Sequence, residues 1–102
     1  MSLIPLIAQR LNLRPAQVEN TVRLLDDGAT VPFIARYRKE QTGALDEVQI
    51  AEIADTHAKL QELAHRKEYV LETIEGQGKL TPELRQRIEA SWDATEIEDL
   101  YL

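Results

Sequence analysis

The feature that most constrains this sequence is a long stretch without glycine or proline, which begins after Gly43 and ends at Gly76. These two residue types are the usual helix breakers, so their absence favours one continuous helix. Asp46 and Gln49 have the spacing of a capping box, in which each side chain bonds to the backbone N–H of the other residue. The pattern therefore predicts a helix over residues 46–76, about 45 Å long at 1.5 Å per residue.

Apolar residues recur along this predicted helix at alternating spacings of three and four, but His57 and Lys67 interrupt the stripe. We expect the stripe to pack within the chain, because a coiled coil between copies tolerates a buried lysine poorly. A homomeric coiled coil is the alternative. The helix would also outreach a compact 100-residue domain, whose radius of gyration is about 13 Å, so we expect it to organise neighbouring domains as a scaffold.

The rest of the sequence contains further helix signals, and no run of alternating apolar and polar residues is long enough to predict a strand. Residues suited to the start of a helix stand at five places outside the long one: Ser2, Pro15, Thr30, Thr81 and Thr95. The predicted fold is therefore all-α, with short helices on both sides of the long helix.

These signals divide the chain into three segments. Residues 1–45 are predicted to form a helix-turn-helix-like unit, residues 46–76 the long scaffold helix, and residues 77–102 short C-terminal helices. The chain ends on the apolar residues Leu100, Tyr101 and Leu102 without a polar tail, which predicts a fragment cut from a larger protein. We also expect weak self-association of such a fragment through the long helix or this apolar end.

Composition limits the class of protein. Cysteine is absent from the 102 residues, which excludes disulfides and thiolate metal sites and predicts a reducing compartment, by default the cytoplasm. No stretch approaches the roughly 20 apolar residues of a membrane-spanning helix, so no membrane partner is expected. The net charge of −6 is uneven: residues 1–45 have six Lys/Arg against four Asp/Glu, and residues 46–102 have six against fourteen. The acidic second part would repel a phosphate backbone.

Residues 30–43 combine an apolar helix pattern with three cations and a single acid. At about 100° per residue, Phe33, Ile34 and Tyr37 share one face of this predicted helix. We predict that Phe33 and Tyr37 anchor the helix in the core, while the charged residues form its exposed rim.

The three cations of this segment are the candidate contacts for nucleic acid or a protein partner: Arg36, Arg38 and Lys39. They form the only local basic patch that the sequence predicts. The alternative is that they pair with the acidic half of the chain, although exposed ion pairs contribute only about 0 to 1 kcal/mol each. The sequence leaves both interpretations open.

The first two predicted helices have the spacing of a helix-turn-helix. A reading helix here would present four polar side chains: Gln17, Asn20, Thr21 and Arg23. Glutamine and asparagine suit adenine edges, but this helix carries three acids against one arginine, which disfavours a phosphate-lined groove. We therefore expect a packing or protein-docking unit that binds duplex DNA only non-specifically, and a direct DNA-binding module is the alternative.

The sequence offers no recognisable catalytic, cofactor or metal site. His57 and His65 lie eight residues apart on one predicted helix, and two ligands at that distance cannot close a tetrahedral metal site. The carboxylates are spread over helix faces that are predicted to be solvated, and no Ser, Cys or Lys stands beside an evident base. We therefore predict that the chain is not an enzyme and binds no cofactor.

Three segments of the chain, residues 24–46, 78–84 and 98–102, resemble the N-terminal region of the Tex family of bacterial transcription accessory proteins. The central segment, with Thr-Val-Pro-Phe-Ile-Ala-Arg-Tyr-Arg-Lys-Glu, is long and specific, and the resemblance covers essentially the whole chain. Asn12 stands where the family pattern has a glycine.

The resemblance implies a much longer protein with an RNase H-like domain, helix-hairpin-helix motifs and a C-terminal OB-fold that binds RNA or single-stranded DNA. The partners it implies are other domains of the same protein, nucleic acid bound mainly through those domains, and the transcription machinery. No binding or catalytic residue of the family maps onto this segment. The expected function is therefore a non-enzymatic, cytoplasmic scaffold and interaction segment.

Overall fold

The computed structural model describes residues 2–102, and every regular element in that range is a helix. The helices are α1 (Ile4–Leu11), α2 (Pro15–Asp26), α3 (Val31–Tyr37), α4 (Lys39–Thr42), α5 (Glu47–Gly76), α6 (Pro82–Ala90) and α7 (Ala94–Tyr101). The all-α prediction is confirmed, and so is the long central helix, which has 30 residues.

The start of α5 is fixed by the predicted capping box. Asp46 Oδ1 accepts a hydrogen bond from the Gln49 backbone N–H at 2.8 Å, and Gln49 Oε1 accepts one from the Asp46 N–H at 3.0 Å. These two bonds satisfy donors that the first turn of a helix would otherwise leave unpaired. The helix therefore begins where the sequence places its start signal.

The chain forms two compact units, residues 1–59 and residues 60–102, and α5 contributes to both. In the first unit, α1 packs against α2, and α2 packs against α3 and α4. Its apolar core is made of eight buried residues: Ile7, Ala8, Val18, Val22, Ile34, Leu45, Ile50 and Ile53. The turn from α1 to α2 passes through Asn12 at φ 56°, a left-handed conformation that asparagine tolerates better than most residues.

The second unit surrounds the C-terminal part of α5. Four buried residues form its centre, Val70, Ile74, Ile88 and Ile97, and partly buried leucines from α5, α6 and α7 pack around them. Thr81 caps α6 as predicted, because its hydroxyl accepts a hydrogen bond from the Leu84 N–H at 3.1 Å.

The predicted single helix over residues 30–43 is wrong in one respect, because it breaks at Arg38. Thr30 caps its start as predicted, and its hydroxyl accepts from the Phe33 N–H at 3.3 Å. Arg38 has φ −129° and ψ 32°, and its guanidinium donates to the Tyr37 carbonyl at 2.9 Å. That bond satisfies a carbonyl which a continuous helix would have bonded to a later N–H.

The predicted helix start at Thr95, which with Glu98 has the spacing of a capping box, is also wrong. Asp93 caps α7 instead, and its Oδ1 accepts from the N–H groups of Thr95 at 2.9 Å and Glu96 at 3.4 Å. An aspartate is a strong cap, and its negative charge suits the positive end of the helix dipole. Glu98 is used elsewhere, in a contact with α5.

Candidate interaction surface

The candidate contacts predicted from the sequence lie together on the short helices α3 and α4. We call the group formed by Phe33, Arg36, Tyr37, Arg38 and Lys39 the α3–α4 surface. Both of its rings are accessible, since Phe33 is 39% exposed and Tyr37 is 54% exposed. The prediction that these two rings anchor the helix in the core is therefore wrong.

The geometry of a two-turn helix explains this error. Ile34 is fully buried, and it alone of the three apolar residues on the predicted face reaches the core. At about 100° per residue, Phe33 and Tyr37 lie about 40° from each other but roughly 60° to 100° from Ile34. A helix this short can thus bury one side chain while the two rings stay together at its flank.

The two rings and two of the arginines contact one another. The ring centroids of Phe33 and Tyr37 are 5.2 Å apart with an interplanar angle of 50°. The Arg38 guanidinium lies 4.8 Å from the Phe33 centroid, and that of Arg36 lies 5.5 Å from the Tyr37 centroid. Such cation–π contacts hold a guanidinium against a ring while its hydrogen-bond donors remain available.

The cations of this surface are not neutralised by neighbouring carboxylates. Among residues 2–102, the ion pairs involve other side chains, and none includes Arg36, Arg38 or Lys39. Within the first unit, the pairing with acidic residues that the sequence offered as the alternative is therefore not formed. Asp27 lines an open depression together with Phe33, but it forms no ion pair with these cations.

The four polar residues of the supposed reading helix have structural roles. The Gln17 side-chain amide donates to the Thr42 carbonyl at 3.1 Å, and that of Asn20 donates to the Gln41 carbonyl at 2.8 Å. Thr21 is fully buried and donates to the carbonyl of Gln17 at 2.8 Å. Arg23, the fourth, pairs with an acid one helical turn earlier, at 3.3 Å. The amides that would read adenine are thus committed to holding the end of α4.

Gly43, which follows α4, lies close to the side chains of Arg14 and Gln17. The residue has φ 70°, which ends α4 in a left-handed conformation. A Cβ added there would lie 2.7 Å from Nε2 of Gln17 and 2.9 Å from a guanidinium nitrogen of Arg14. The backbone angle therefore favours glycine, and a Cβ here would displace the ends of the Gln17 and Arg14 side chains.

The second unit contains an aromatic and cationic group that the sequence analysis missed. We call Arg66, Tyr69, Glu98 and Tyr101 the α5–α7 clamp. Arg66 donates two hydrogen bonds to the Glu98 carboxylate, at 2.6 and 2.9 Å, and its guanidinium lies 5.2 Å from the centroid of each tyrosine ring. The hydrogen bonds lower the pKa of Glu98 and raise the pKa of Arg66.

Lys67 also has its charge compensated within the second unit. The residue is only 6% exposed, its Nζ donates to the Glu89 carbonyl at 2.7 Å, and it lies 3.7 Å from the Trp92 ring centroid. Burial lowers the pKa of Lys67. The carbonyl belongs to the last turn of α6, so a lysine that interrupted the apolar stripe serves as a helix-end contact.

Two further features, a metal-binding cluster and a membrane-spanning helix, are absent from the described residues. Between residues 2 and 102, no three or more His, Asp or Glu side chains gather in a way that could hold a metal ion. In the same range no helix has the length and apolar character needed to cross a membrane.

Comparisons with a family model and with individual proteins indicate the same family. Residues 1–75 match the sequence model of a family described as the Tex-like protein N-terminal domain. The chain is 50% identical over 102 residues to the transcriptional accessory protein Tex of Neisseria gonorrhoeae, all of the chain but 14% of that protein. It is 48% identical over 99 residues to the protein tex of Bordetella pertussis, which covers 97% of the chain and 12% of the relative.

A more distant similarity extends to animals. The chain is 32% identical over 79 residues to the human S1 RNA-binding domain-containing protein 1, a match that covers 78% of the chain and 8% of that protein. The chain thus spans only a small part of the length of the curated relatives it matches.

Proposed function

This chain belongs to the family of Tex-like protein N-terminal domains, and from that premise we propose that it is a non-enzymatic scaffold and interaction segment of a transcription accessory protein. The name of the human relative includes an S1 RNA-binding domain. We propose by that relation that the full-length protein binds RNA or single-stranded DNA mainly through regions outside this chain. Its location would be the cytoplasm, where bacterial transcription takes place.

The observation that carries the scaffold proposal is the shared helix. One uninterrupted α5 supplies Ile50 and Ile53 to the core of the first unit and Val70 and Ile74 to that of the second. The two cores are thus joined by one regular element, in which backbone hydrogen bonds link each turn to the next. The division into a unit over 1–45, a scaffold helix over 46–76 and a C-terminal segment over 77–102 remains our proposal.

A helix break at the boundary of the two units tests this proposal. Lys59 is exposed on α5 and pairs only with Asp55, one turn earlier. In the full-length protein, Lys59→Pro should abolish complementation of a deletion strain, because an interior proline breaks the helix at a cost of about 3 kcal/mol or more. Lys59→Ala is the matched control and should complement fully.

Circular dichroism and limited proteolysis of the purified variants would distinguish a local break in α5 from unfolding of the two units. The scaffold proposal expects both units to remain protected in Lys59→Pro, with a new cleavage site near residue 59. Full complementation by Lys59→Pro with a broken helix would refute the proposal.

A further inference from the structure

The α3–α4 surface combines exposed aromatic rings with cations that lack carboxylate partners. Two exposed aromatic rings lie side by side, and three cations stand within residues 36–39. None of the ion pairs among residues 2–102 includes any of these cations. Exposed rings and guanidinium planes are the groups on which unpaired bases stack, and cations beside them contact the phosphates. We propose that the α3–α4 surface is a binding site for single-stranded nucleic acid.

In this site, Phe33 and Tyr37 stack on bases, while Arg36, Arg38 and Lys39 contact the backbone phosphates. The site is additional to the function proposed above, which assigns nucleic-acid binding to regions outside this chain, so either proposal can fail without the other. Asp27 lines the same open depression as Phe33, and its negative charge would disfavour a phosphate in that depression. We therefore expect the phosphates to lie toward Arg36 and Lys39.

The surface is held in place from beneath, which reduces the entropy cost of binding. Ile34 is fully buried below the rings, and Thr30 caps the start of α3. Gln17 and Asn20 hold the end of α4 through hydrogen bonds to its last carbonyls. The cation–π contacts already place two guanidinium groups against the rings, so these side chains lose little conformational entropy when a single strand binds.

Single strands are favoured over duplex DNA and over acidic proteins. Duplex bases are already stacked on each other and cannot reach the rings, and the amides of α2 that would read a groove are bonded to α4. An acidic peptide would use the three cations but would leave the pair of exposed rings without a matching partner. A nucleotide uses both features at once, because its base can stack on a ring while its phosphate contacts the cations.

Fluorescence anisotropy with a labelled ten-thymidine oligonucleotide provides the test. We expect the dissociation constant to lie between about 1 and 100 µM, the range of non-specific nucleic-acid binding. Contacts with three phosphates predict that the logarithm of the binding constant falls with the logarithm of salt concentration with a slope of about −2.

The ring contribution is tested with a pair of equally exposed tyrosines. Tyr37→Ala should weaken binding at least about fivefold, because base–aromatic stacking contributes about 1 to 3 kcal/mol per base. Tyr69, like Tyr37, is 54% exposed and has an arginine against its ring, so Tyr69→Ala is the matched control and should leave affinity unchanged. Tyr37→Phe retains the ring and should restore binding, which a general folding defect would not explain.

The charge contribution is tested in the same way. Arg36→Ala and Arg87→Ala remove the same charge from exposed positions, and neither arginine forms an ion pair among the described residues. Only Arg36→Ala should weaken binding and make the salt slope shallower by about 0.7. Equal effects of both variants would mean that net charge alone governs binding, and the site would be refuted.

Three competitors identify the ligand class. The unlabelled oligonucleotide should displace the probe, whereas an abasic strand of equal length and the matching duplex should do so at least fivefold more weakly. A ten-glutamate peptide should compete no better than the abasic strand. If the abasic strand or the peptide competes as well as the oligonucleotide, the rings do not stack on bases and the proposal is wrong.

Discussion

The α3–α4 surface and the α5–α7 clamp are built from the same kinds of residue, but they differ in one respect. Each has two aromatic rings with guanidinium contacts: two arginines lie 4.8 and 5.5 Å from the ring centroids in the first, and one arginine lies 5.2 Å from both centroids in the second. Only the clamp contains a carboxylate, that of Glu98, which accepts two hydrogen bonds from Arg66. The presence of that one acid decides how the arginine is used.

In the clamp, the arginine is occupied by an internal partner, so the group joins α5 to α7 within the second unit. In the α3–α4 surface, the two arginines contact rings and one backbone carbonyl, that of Tyr37, but no carboxylate, so most of their donors remain available to a ligand. Similar side chains thus give a structural contact in one unit and an accessible cationic surface in the other.

The largest expected effect is on the free energy of unfolding, and it distinguishes the buried Ile34 from the exposed ring of Phe33. Ile34→Ala should lower the free energy of unfolding by about 2 to 5 kcal/mol, because it opens a cavity in the core. Phe33→Ala should cost less than half as much, since that ring is already partly solvated. Urea unfolding of both variants measures this difference, and equal costs would mean that the ring belongs to the core.

The next effect concerns the support of α4 by α2. Gly43→Ala should destabilise the chain by about 1 to 3 kcal/mol, because an L-residue is strained at φ 70° and its Cβ would collide with the Gln17 amide. Gly76, also at the end of a helix, has open space around it, so Gly76→Ala is the control and should be neutral or slightly stabilising. Thermal unfolding compares the two, and a neutral Gly43→Ala would contradict the close packing of α2 on α4.

A smaller effect is expected from the carboxylate that distinguishes the two groups. The pKa of Glu98 is lowered in the folded chain, so on acidification the unfolded chain binds this proton first. The stabilisation by Glu98 is therefore complete above the ordinary glutamate pKa of about 4.3 and is lost as the pH falls through the lowered value. Urea unfolding between pH 6 and pH 3 should show this loss in the parent chain and not in Glu98→Gln.

Glu40→Gln is the control for that measurement. Glu40 is the single acid of residues 30–43 and forms no ion pair among the described residues, so Glu40→Gln removes the same charge without breaking a carboxylate–guanidinium contact. If Glu40→Gln changed the profile as much as Glu98→Gln, a carboxylate would also stabilise the α3–α4 surface, and the contrast between the two groups would fail.

The smallest effect is expected from Lys67, the cation that is buried against Trp92. Its pKa is lowered by burial, so at alkaline pH the folded chain loses this proton before the unfolded chain does. Stability should therefore rise slightly as the pH increases from the lowered value toward about 10.4, the ordinary lysine pKa. Lys67→Met should lack this rise, whereas the exposed Lys79→Met should retain it, and an identical profile for all three chains would contradict the burial of Lys67.

The sequence was sufficient to predict the features that depend on neighbouring residues. The absence of helix breakers and the pair Asp46 and Gln49 located α5, and the hydroxyls of Thr30 and Thr81 located two helix starts. Such signals act within four residues, so a single sequence contains them fully.

The features that it did not predict depend on distant partners. Arg66 and Glu98 are 32 residues apart, and no local sequence pattern predicts their contact. Which side of α3 faces the core is set by its packing on α2, so the pattern of three apolar residues could not distinguish Ile34 from Phe33. Asp93 and Thr95 are both suitable caps, and only the tertiary position of α7 decides between them.

The most direct test of the contrast between the two groups is a single NMR titration with the ten-thymidine oligonucleotide. Ring and guanidinium resonances report on both groups in the same sample. Our account predicts that the ring signals of Phe33 and Tyr37 and the Nε–H signal of Arg36 shift, while those of Tyr69 and Arg66 do not. Equal shifts in both groups, or shifts confined to Tyr69 and Arg66, would contradict the central claim. That claim is that Glu98 occupies the arginine of the α5–α7 clamp, whereas the arginines of the α3–α4 surface remain available to a ligand.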